Sequence, residues 1–404
     1  MTDTLRDLLR ESVADADMPD VAELAWAEGG RARLRRAASA VAGVAAVALL
    51  ATGVVWAVGQ RDWHRAAQPV RPPSPTAPST PYAEKDKPDG EYQGTSVWWA
   101  PSVEQESSLP AYPDGPLPRT IDLSAPALSL ASDPLRSAVA AFALVGDSGS
   151  PSEVLLLGPD GSLRTVPLTA DDGSPAPVSP MRDPEGNLRV RAGASMLSPS
   201  GKYLMFPQAG SIRLLRLRDS RWSTIATGFS AWDATWTAED DIVLWDPDRP
   251  DAHAPVYGVD GRPVSRARAP DELNPRWNGD LYGVPRRSLT GSLAQSYIAG
   301  LDVPQPPELH LSPRQSDAIG IASAPDAMLV LPQEPARQKE CCPVAGWLDT
   351  DVLLFESRSS EGLRLLAWQQ GTGRFWQVSR VVGWTMGQES VVSSYATFWS
   401  MRAT

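Results

Sequence analysis

Short apolar runs separated by turn residues fill most of this chain and limit what it can fold into. Beyond Pro118 the runs have four to six residues, and Gly, Pro, Asp and Ser lie between them. The clearest are VLLL at 154–157, YLMF at 203–206, IVLW at 242–245, MLVL at 328–331 and VLLF at 352–355. Runs of this kind are typical of β-strands, and no segment beyond Pro118 keeps a period of 3.6 residues for three turns. Residues 118–404 are therefore predicted to be all-β.

Several of these runs resemble one another in order and spacing. Residues 212–217 and 363–368 share the order apolar, Arg, Leu, Leu, variable, apolar, and a strand containing Trp222 or Trp376 follows. A unit of four short strands that recurs every 40–45 residues or so is the sequence pattern of a β-propeller. An irregular pair of β-sandwiches is the alternative fold.

Trp residues recur at matching positions in the repeats. Trp236 precedes IVLW at nearly the spacing with which Trp347 precedes VLLF. Aromatic side chains could line a platform for sugars, but repeated positions within strands favour the interior of the blades. We therefore expect most of the 15 Trp residues to serve as core.

The length of this region sets the expected blade number. At about 42 residues per blade, residues 118–404 predict six or seven blades. Such a ring must close, because an open first or last sheet leaves exposed edges. Residues 120–123 are predicted to pair with a terminal strand within 391–399.

One segment carries a family resemblance. LSPSGKYLMF at 197–206 resembles the LSPDGKxLAF strand–turn–strand signature of WD40-like and TolB-like propeller repeats, with Ser200 where Asp is usual. The similarity extends over 194–217 and is weaker at 234–262 and 346–378. The Gly-His and Trp-Asp pairs of strict WD40 repeats are missing from the sequence. The resemblance implies a propeller that serves as a binding scaffold.

Residues 37–58 form an uncharged apolar run that follows four arginines, Arg31, Arg33, Arg35 and Arg36. At 1.5 Å per residue this run is long enough to cross a hydrocarbon core of about 30 Å. The 36 preceding residues and the length of the run favour an uncleaved signal anchor over a cleaved signal peptide; a buried Ala-rich helix is the other alternative. The arginines predict a single-pass cell-membrane protein with a cytoplasmic N-terminus and an extracellular C-terminal domain.

The segments on either side of residues 37–58 differ in character. Residues 1–36 contain two short helical patterns, each too short to be stable alone, so this tail is weakly ordered or folds against a cytoplasmic protein partner. Residues 59–117 are rich in proline and predict an extended linker of polyproline II type. Within it, Trp98 and Trp99 could be the first residues to dock on the outer domain.

A short acidic tail, an Arg-rich stop and an Ala/Val-rich helix together resemble actinobacterial single-pass membrane proteins. Some members of that group have roles like those of anti-sigma factors, and the resemblance implies signalling through the tail. The tail contains no His or Cys, so it departs from the zinc-containing anti-sigma domains.

Several classes of site and partner can be set aside. The net charge is −11 and no basic stripe lies outside the membrane flank, which argues against nucleic-acid binding. His64, His253 and His310 have no metal-ligating neighbours at suitable spacing, and 246–251 lacks the Gly and closing Glu of a calcium loop.

Residues 146–150 are similar to the GDSGG motif of serine proteases, but the sole upstream His flanks the membrane segment, so a hairpin turn is predicted. We expect no catalytic residue, cofactor or metal.

The chain has two cysteines, and they are adjacent. Cys341 and Cys342 could form a vicinal disulfide, cross-link to other chains or remain free thiols. An oxidising exterior favours the vicinal disulfide.

These observations predict a non-catalytic, membrane-anchored extracytoplasmic binding or sensor protein. Its partners would be membrane lipid along 37–58, an unidentified protein or small molecule for the propeller, and a cytoplasmic protein for the tail. The alternative is a membrane-tethered enzyme, a hydrolase or lyase with its site at the channel mouth. At least two inward carboxylates at one end of the channel would favour the enzyme.

Overall fold

A computed structural model describes most of the C-terminal region of the chain. The described residues are 81–113, 115–145, 151–168, 178–179, 181–182, 188–189, 193–228, 233–245, 254–267, 279–299, 316–323, 325–338, 340–384 and 390–398. All of them belong to one compact unit, Pro78–Thr404. The predicted tail (1–36) and membrane segment (37–58) lie outside the described residues. Within the described residues, no helix combines the length and the apolar character needed to cross a membrane.

The first described elements are short. They are β1 (Gly90–Tyr92), β2 (Thr95–Trp99), α1 (Val103–Glu106), β3 (Thr120–Asp122) and β4 (Leu128–Ser129). The single turn α1 begins at Ser102, whose hydroxyl accepts the backbone N–H of Gln105 while the Gln105 side chain accepts the N–H of Ser102. We call residues 82–130 the strap.

The remaining strands form five antiparallel sheets, or blades, and one small hairpin. Blade I contains β5 (Ala140–Val145), β6 (Glu153–Leu157) and β7 (Leu163–Pro167). The hairpin consists of β8 (Met181–Arg182) and β9 (Leu188–Arg189). Blade II contains β10 (Tyr203–Gln208), β11 (Ser211–Arg216) and β12 (Arg221–Ala226), and blade III contains β13 (Asp233–Trp236), β14 (Ile242–Trp245), β15 (Ala254–Tyr257) and β16 (Pro263–Ala267).

The last two blades have the longest strands. Blade IV contains β17 (Gly279–Arg287), β18 (Leu293–Ala299), β19 (Ser316–Ala322) and β20 (Ala327–Val330). Blade V contains β21 (Val344–Trp347), β22 (Val352–Ser359), β23 (Gly362–Gln369) and β24 (Phe375–Val382). The terminal strand is β25 (Ser390–Tyr395).

The all-β propeller prediction is confirmed, but the expected six or seven blades are wrong, because the described strands form five. The estimate assumed even spacing. The first strands of blades III, IV and V begin at Asp233, Gly279 and Val344, farther apart than the roughly 42 residues assumed. Part of the extra sequence separates β18 from β19, and part separates blade I from blade II. The spacing of the blades along the chain is therefore less even than the estimate assumed.

The ring closes through its terminal strand, although not with the predicted partner. Strand β25 pairs with β5, so that Tyr395 lies opposite Ala140 and Ser390 opposite Val145. It thereby supplies blade I with its innermost strand. The predicted pairing of 120–123 with this strand is wrong, because β3 instead pairs in parallel with β24 of blade V.

The strap lies along the outer edges of three blades. Strand β2 pairs in parallel with β20 of blade IV, β3 with β24 of blade V and β4 with β7 of blade I. Parallel pairing extends each antiparallel blade and covers its open edge. Trp98 and Trp99 are buried in this contact. Part of the segment predicted as linker, 59–117, is therefore folded onto the blades.

The repeats recognised in the sequence occupy equivalent strands. Residues 212–217 and 363–368 fall largely in β11 and β23, each followed by the outermost antiparallel strand of its blade. Trp236 and Trp347 end the first strands of blades III and V. Each indole N–H donates to a backbone carbonyl outside its own blade, that of Ser195, which precedes β10 of blade II, at 2.8 Å and that of Arg286 in β17 of blade IV at 3.0 Å. These Trp residues join neighbouring blades.

The strand–turn–strand segment 197–206 has the predicted conformation. The Ser198 hydroxyl accepts the N–H groups of Lys202 and Tyr203, and Gly201 has a φ of +71°. Ser200 stands where Asp is usual, and its N–H and hydroxyl both donate to the carboxylate of Asp240. An aspartate at position 200 would face that carboxylate, so the serine suits this particular contact between blades II and III.

Candidate functional site

The innermost strand of blade IV, β17, contains a break in its pairing just before Arg286. Strand β17 pairs with β18 so that Tyr282 lies opposite Ser296 and Arg286 opposite Ala294. Three residues of β17 therefore face one of β18, which is a β-bulge. Gly283, within it, has a φ of +71°. Bulges redirect side chains and are common beside functional sites.

A buried carboxylate lies nearby, on blade V. Glu356 of β22 has no exposed surface. One carboxylate oxygen accepts the hydroxyls of Tyr395, at 2.8 Å, and Ser393, both from the terminal strand β25. The other oxygen accepts the Nε–H of Arg358 at 2.6 Å. The carboxylate is thus fully engaged by side chains of its own blade and of blade I.

These contacts shift the pKa values of Arg358 and Tyr395. Burial alone would lower the pKa of Arg358, but the Glu356 carboxylate outweighs this effect and the pKa is raised. Burial and the same carboxylate raise the pKa of Tyr395 well above its ordinary value, so this phenol stays a neutral donor. Glu356 and Arg358 therefore form an ion pair of zero net charge.

Arg286 adds a charge that no described carboxylate balances. Its Nε is buried and has no hydrogen-bond partner. Burial lowers the pKa of Arg286 to about 10, and Tyr395 is the one described ionisable group that acts on it. Because blades IV and I are not neighbours, this proximity places Arg286 and Tyr395 near the centre of the ring. We call Arg286, Glu356, Arg358, Ser393 and Tyr395 the inner cluster; with Glu356 ionised its net charge is +1.

The two cysteines lie just before β21, the first strand of blade V. Cys341 and Cys342 have no exposed surface, and the structure joins their sulfur atoms as a disulfide. Ser296 of blade IV donates its hydroxyl to the Cys342 carbonyl at 2.7 Å and accepts the Val344 N–H at 3.1 Å. The predicted pairing is thus compatible with the fold, and the oxidation state stays a prediction that is tested below.

Tyr282 and Asp317 complete the surroundings of the cysteines. The Tyr282 hydroxyl donates to Asp317 at 3.0 Å and accepts the Cys342 N–H at 3.4 Å. Asp317 also accepts the Cys341 N–H. Burial raises the pKa of both Tyr282 and Asp317. Tyr282 is also within electrostatic range of Arg358, so the cysteine loop and the inner cluster are neighbours.

This arrangement suits binding better than proton transfer or thiol chemistry. Glu356 and Asp317, the carboxylates of these two clusters, are both hydrogen-bonded to neutral or cationic groups. The cysteines have no contact with solvent. In the described part of the chain, no group of three His, Cys, Asp or Glu residues could hold a metal ion.

The other residues considered from the sequence are not part of this site. His64, His253, His310, 146–150 and 246–251 lie outside the described residues. The hairpin predicted around 146–150 is nevertheless confirmed by the antiparallel pairing of β5 with β6. Sequence reasoning missed Arg286 and Glu356, and the single local signal was the Gly283-x-Pro285 pattern inside an otherwise regular strand.

Similarity to known proteins is limited to solved structures and is low. No family model and no curated protein matches the chain. The chain is similar to the β-propeller domain of the Trilobed protease from Pyrococcus furiosus, with 11% identity over 61% of this chain and 69% of that one and a TM-score of 0.25.

Two further solved structures are similar to the same extent. Oligogalacturonate lyase from Vibrio parahaemolyticus has 10% identity over 59% of this chain and 72% of that one, with a TM-score of 0.24. The WD40 domain of SCAP from fission yeast has 10% identity over 57% of this chain and 51% of that one, with a TM-score of 0.22.

The chain has the β-propeller fold. That assignment rests on the strand pairing, and the resemblance of the repeats to WD40-like and TolB-like propellers is confirmed at the level of fold. Matches of such low identity and TM-score carry no argument about activity. The function must be argued from the residues of this chain.

Proposed function

We propose that this chain is a non-catalytic, membrane-anchored extracytoplasmic sensor whose propeller binds a ligand and whose tail signals to a cytoplasmic protein. Residues 37–58 would hold it in the membrane as a signal anchor. The acidic tail of 1–36, with its two apolar faces, would contact the cytoplasmic partner.

The observation that carries the proposal is the inner cluster. Glu356, its one carboxylate, accepts hydrogen bonds from three donors, and Arg286, whose Nε–H has no partner among the described residues, is a cation that cannot readily lose its proton. A general acid or base must be free to exchange a proton with substrate. A buried cation without a partner instead suits the recognition of an anion.

The tail gives the proposal its direct test. Full-length protein would be cross-linked in native membranes, and its captured partners identified by mass spectrometry. Replacing Leu8 and Leu9 with Ser removes the first apolar face of the tail while keeping its length. We expect this variant to lose a cytoplasmic partner that the wild-type chain captures.

A matched polar change serves as the control. Asp15→Ser together with Asp17→Ser alters the tail outside that apolar face and should retain the partner. If all three forms capture the same proteins, signalling through the tail is refuted.

A further inference from the structure

We infer that Arg286 of β17 and its neighbours on β22 and β25 bind a small molecule that bears a single carboxylate. The inference rests on the proposed sensor function and names the chemical class of its ligand. Four observations support it: missing hydrogen bonds, an unbalanced charge, access to solvent and a redirected side chain.

The missing hydrogen bonds come first. A guanidinium has five N–H donors, and the Nε–H of Arg286 has no hydrogen-bond partner among the described residues. Its Nε is fully shielded from solvent. More than about 90% of buried polar groups in proteins have a partner, so an orphan at this position calls for a water, an ion or a ligand.

The unbalanced charge selects the ligand. Arg358 and Glu356 form an ion pair at 2.5 Å and neutralise one another. The positive charge of Arg286 therefore has no counter-charge within the inner cluster. One carboxylate brings the inner cluster to neutrality. A phosphate monoester carries about 1.5 to 2 negative charges and would leave an excess beside the buried Glu356. Asp317 does not serve as the counter-ion, because it faces Tyr282 and the cysteine loop.

The geometry fits a planar anion. The Arg358 side chain is 25% exposed, so a solute can reach its guanidinium group, and the Arg286 residue is itself partly exposed although its Nε is buried. Arginine matches a carboxylate with two parallel N–H···O bonds. The bulge that precedes Arg286 and the indole of Trp347, which donates to the Arg286 carbonyl, hold the backbone at this point.

The test uses purified full-length protein in detergent with acetate and benzoate as probes. Binding would be measured by calorimetry and by the shift in melting temperature, against sodium chloride of equal ionic strength. We expect both carboxylates to bind the wild-type chain. Arg286→Met should weaken binding at least about tenfold, since a hydrogen bond to a charged group contributes about that much.

Arg287→Met is the matched control, because Arg287 is the next residue of β17 and is exposed. It should bind both probes as the wild type does. Arg286→Lys keeps the charge but loses the two-pronged geometry, so its binding should fall between wild type and Arg286→Met. Without a probe, Arg286→Met should melt above the wild type, since it removes an uncompensated charge.

Each other result overturns the inference. Equal binding by Arg286→Met and wild type would refute the site. Failure of the wild-type chain to bind either acetate or benzoate would refute it as well. Stronger binding of inorganic phosphate than of acetate would refute the assigned class. If carboxylate binding fails while the tail still captures its partner, this inference alone is wrong; the reverse result would refute only the signalling role.

Discussion

Single residues around the cysteine pair show how blade IV holds the start of blade V. Tyr282, Ser296 and Asp317 come from three successive strands of blade IV, and each bonds to backbone atoms of the cysteine loop. The loop is therefore fixed from one side by polar contacts. With both side chains buried, a disulfide would be shielded from reductants in solution.

The oxidation state of Cys341 and Cys342 can be measured directly. Full-length protein from acid-quenched membranes would be denatured and alkylated with iodoacetamide, with and without prior reduction. We expect the peptide that contains both cysteines to resist alkylation until it is reduced, and to be two hydrogen atoms lighter before reduction. Alkylation without reduction, or a dimer on a non-reducing gel, would exclude the vicinal disulfide.

Losing this bond should cost little stability. A disulfide stabilises mainly by restricting the unfolded chain, and the effect grows with the length of the loop that it closes. Adjacent residues close the shortest loop, so reduction is expected to lower the free energy of unfolding by less than about 1 kcal/mol. The bond therefore matters for the shape of the loop rather than for the stability of the ring.

Among the structural elements, the strap is attached by an unusual buried contact. Glu106, in α1, has no exposed surface and accepts hydrogen bonds from Ser357 at 2.6 Å and Arg364 at 3.1 Å. Arg337 lies 3.0 Å from the same carboxylate and also donates to the carbonyl of Pro101. One buried carboxylate thus ties the strap to blade V and to the loop before it.

Glu106→Gln is predicted to loosen this attachment. The change removes the counter-ion that Arg337 and Arg364 share. Because Glu361 stays 2.6 Å from Arg364 and Glu334 stays 3.9 Å from Arg337, the cost should lie near the lower end of the roughly 3–5 kcal/mol typical of a broken buried ion pair. Glu104→Gln, an exposed change in the same turn, should stay within about 0.5 kcal/mol of the wild type. Chemical denaturation of the full-length chain measures both values. Equal stability of the two variants would show that the strap does not depend on this carboxylate.

At the scale of the whole molecule, the sequence predicts where the strands lie and which of them occupy equivalent positions in different blades. It does not predict the number of blades or how the ring closes. Runs such as VLLF at 352–355 are visible because the strands of a blade are buried on both faces. The blade number depends on connection lengths, which no local pattern encodes. The strap strands have two to five residues and pair with the outer edges of the blades. Strands this short, in or next to a proline-rich segment, carry no recognisable strand pattern in the sequence.

The candidate site was hidden for a related reason. The adjacent cysteines are visible in any reading of the sequence. Arg286, Glu356 and Tyr395 become neighbours only when the ring closes through β25, and whether Arg286 has a partner depends on that closure. A sequence can show a bulge through Gly283 and Pro285 but not which charges the bulge brings together.

The orientation of the whole chain in the membrane is the remaining prediction. The arginines before residues 37–58 predict that the propeller faces the exterior. Leu289 is 57% exposed at the turn between β17 and β18, so Leu289→Cys offers an accessible thiol on the propeller. Ser12→Cys offers one in the tail.

A maleimide that cannot cross membranes distinguishes the two sides. In intact cells it should label Leu289→Cys at once and Ser12→Cys only after the cells are made permeable. The unmodified chain is the control and should stay unlabelled, because Cys341 and Cys342 are buried. Labelling of Ser12→Cys in intact cells, with Leu289→Cys protected, would reverse the orientation. Equal labelling of both would place the whole chain on one side and refute the membrane anchor.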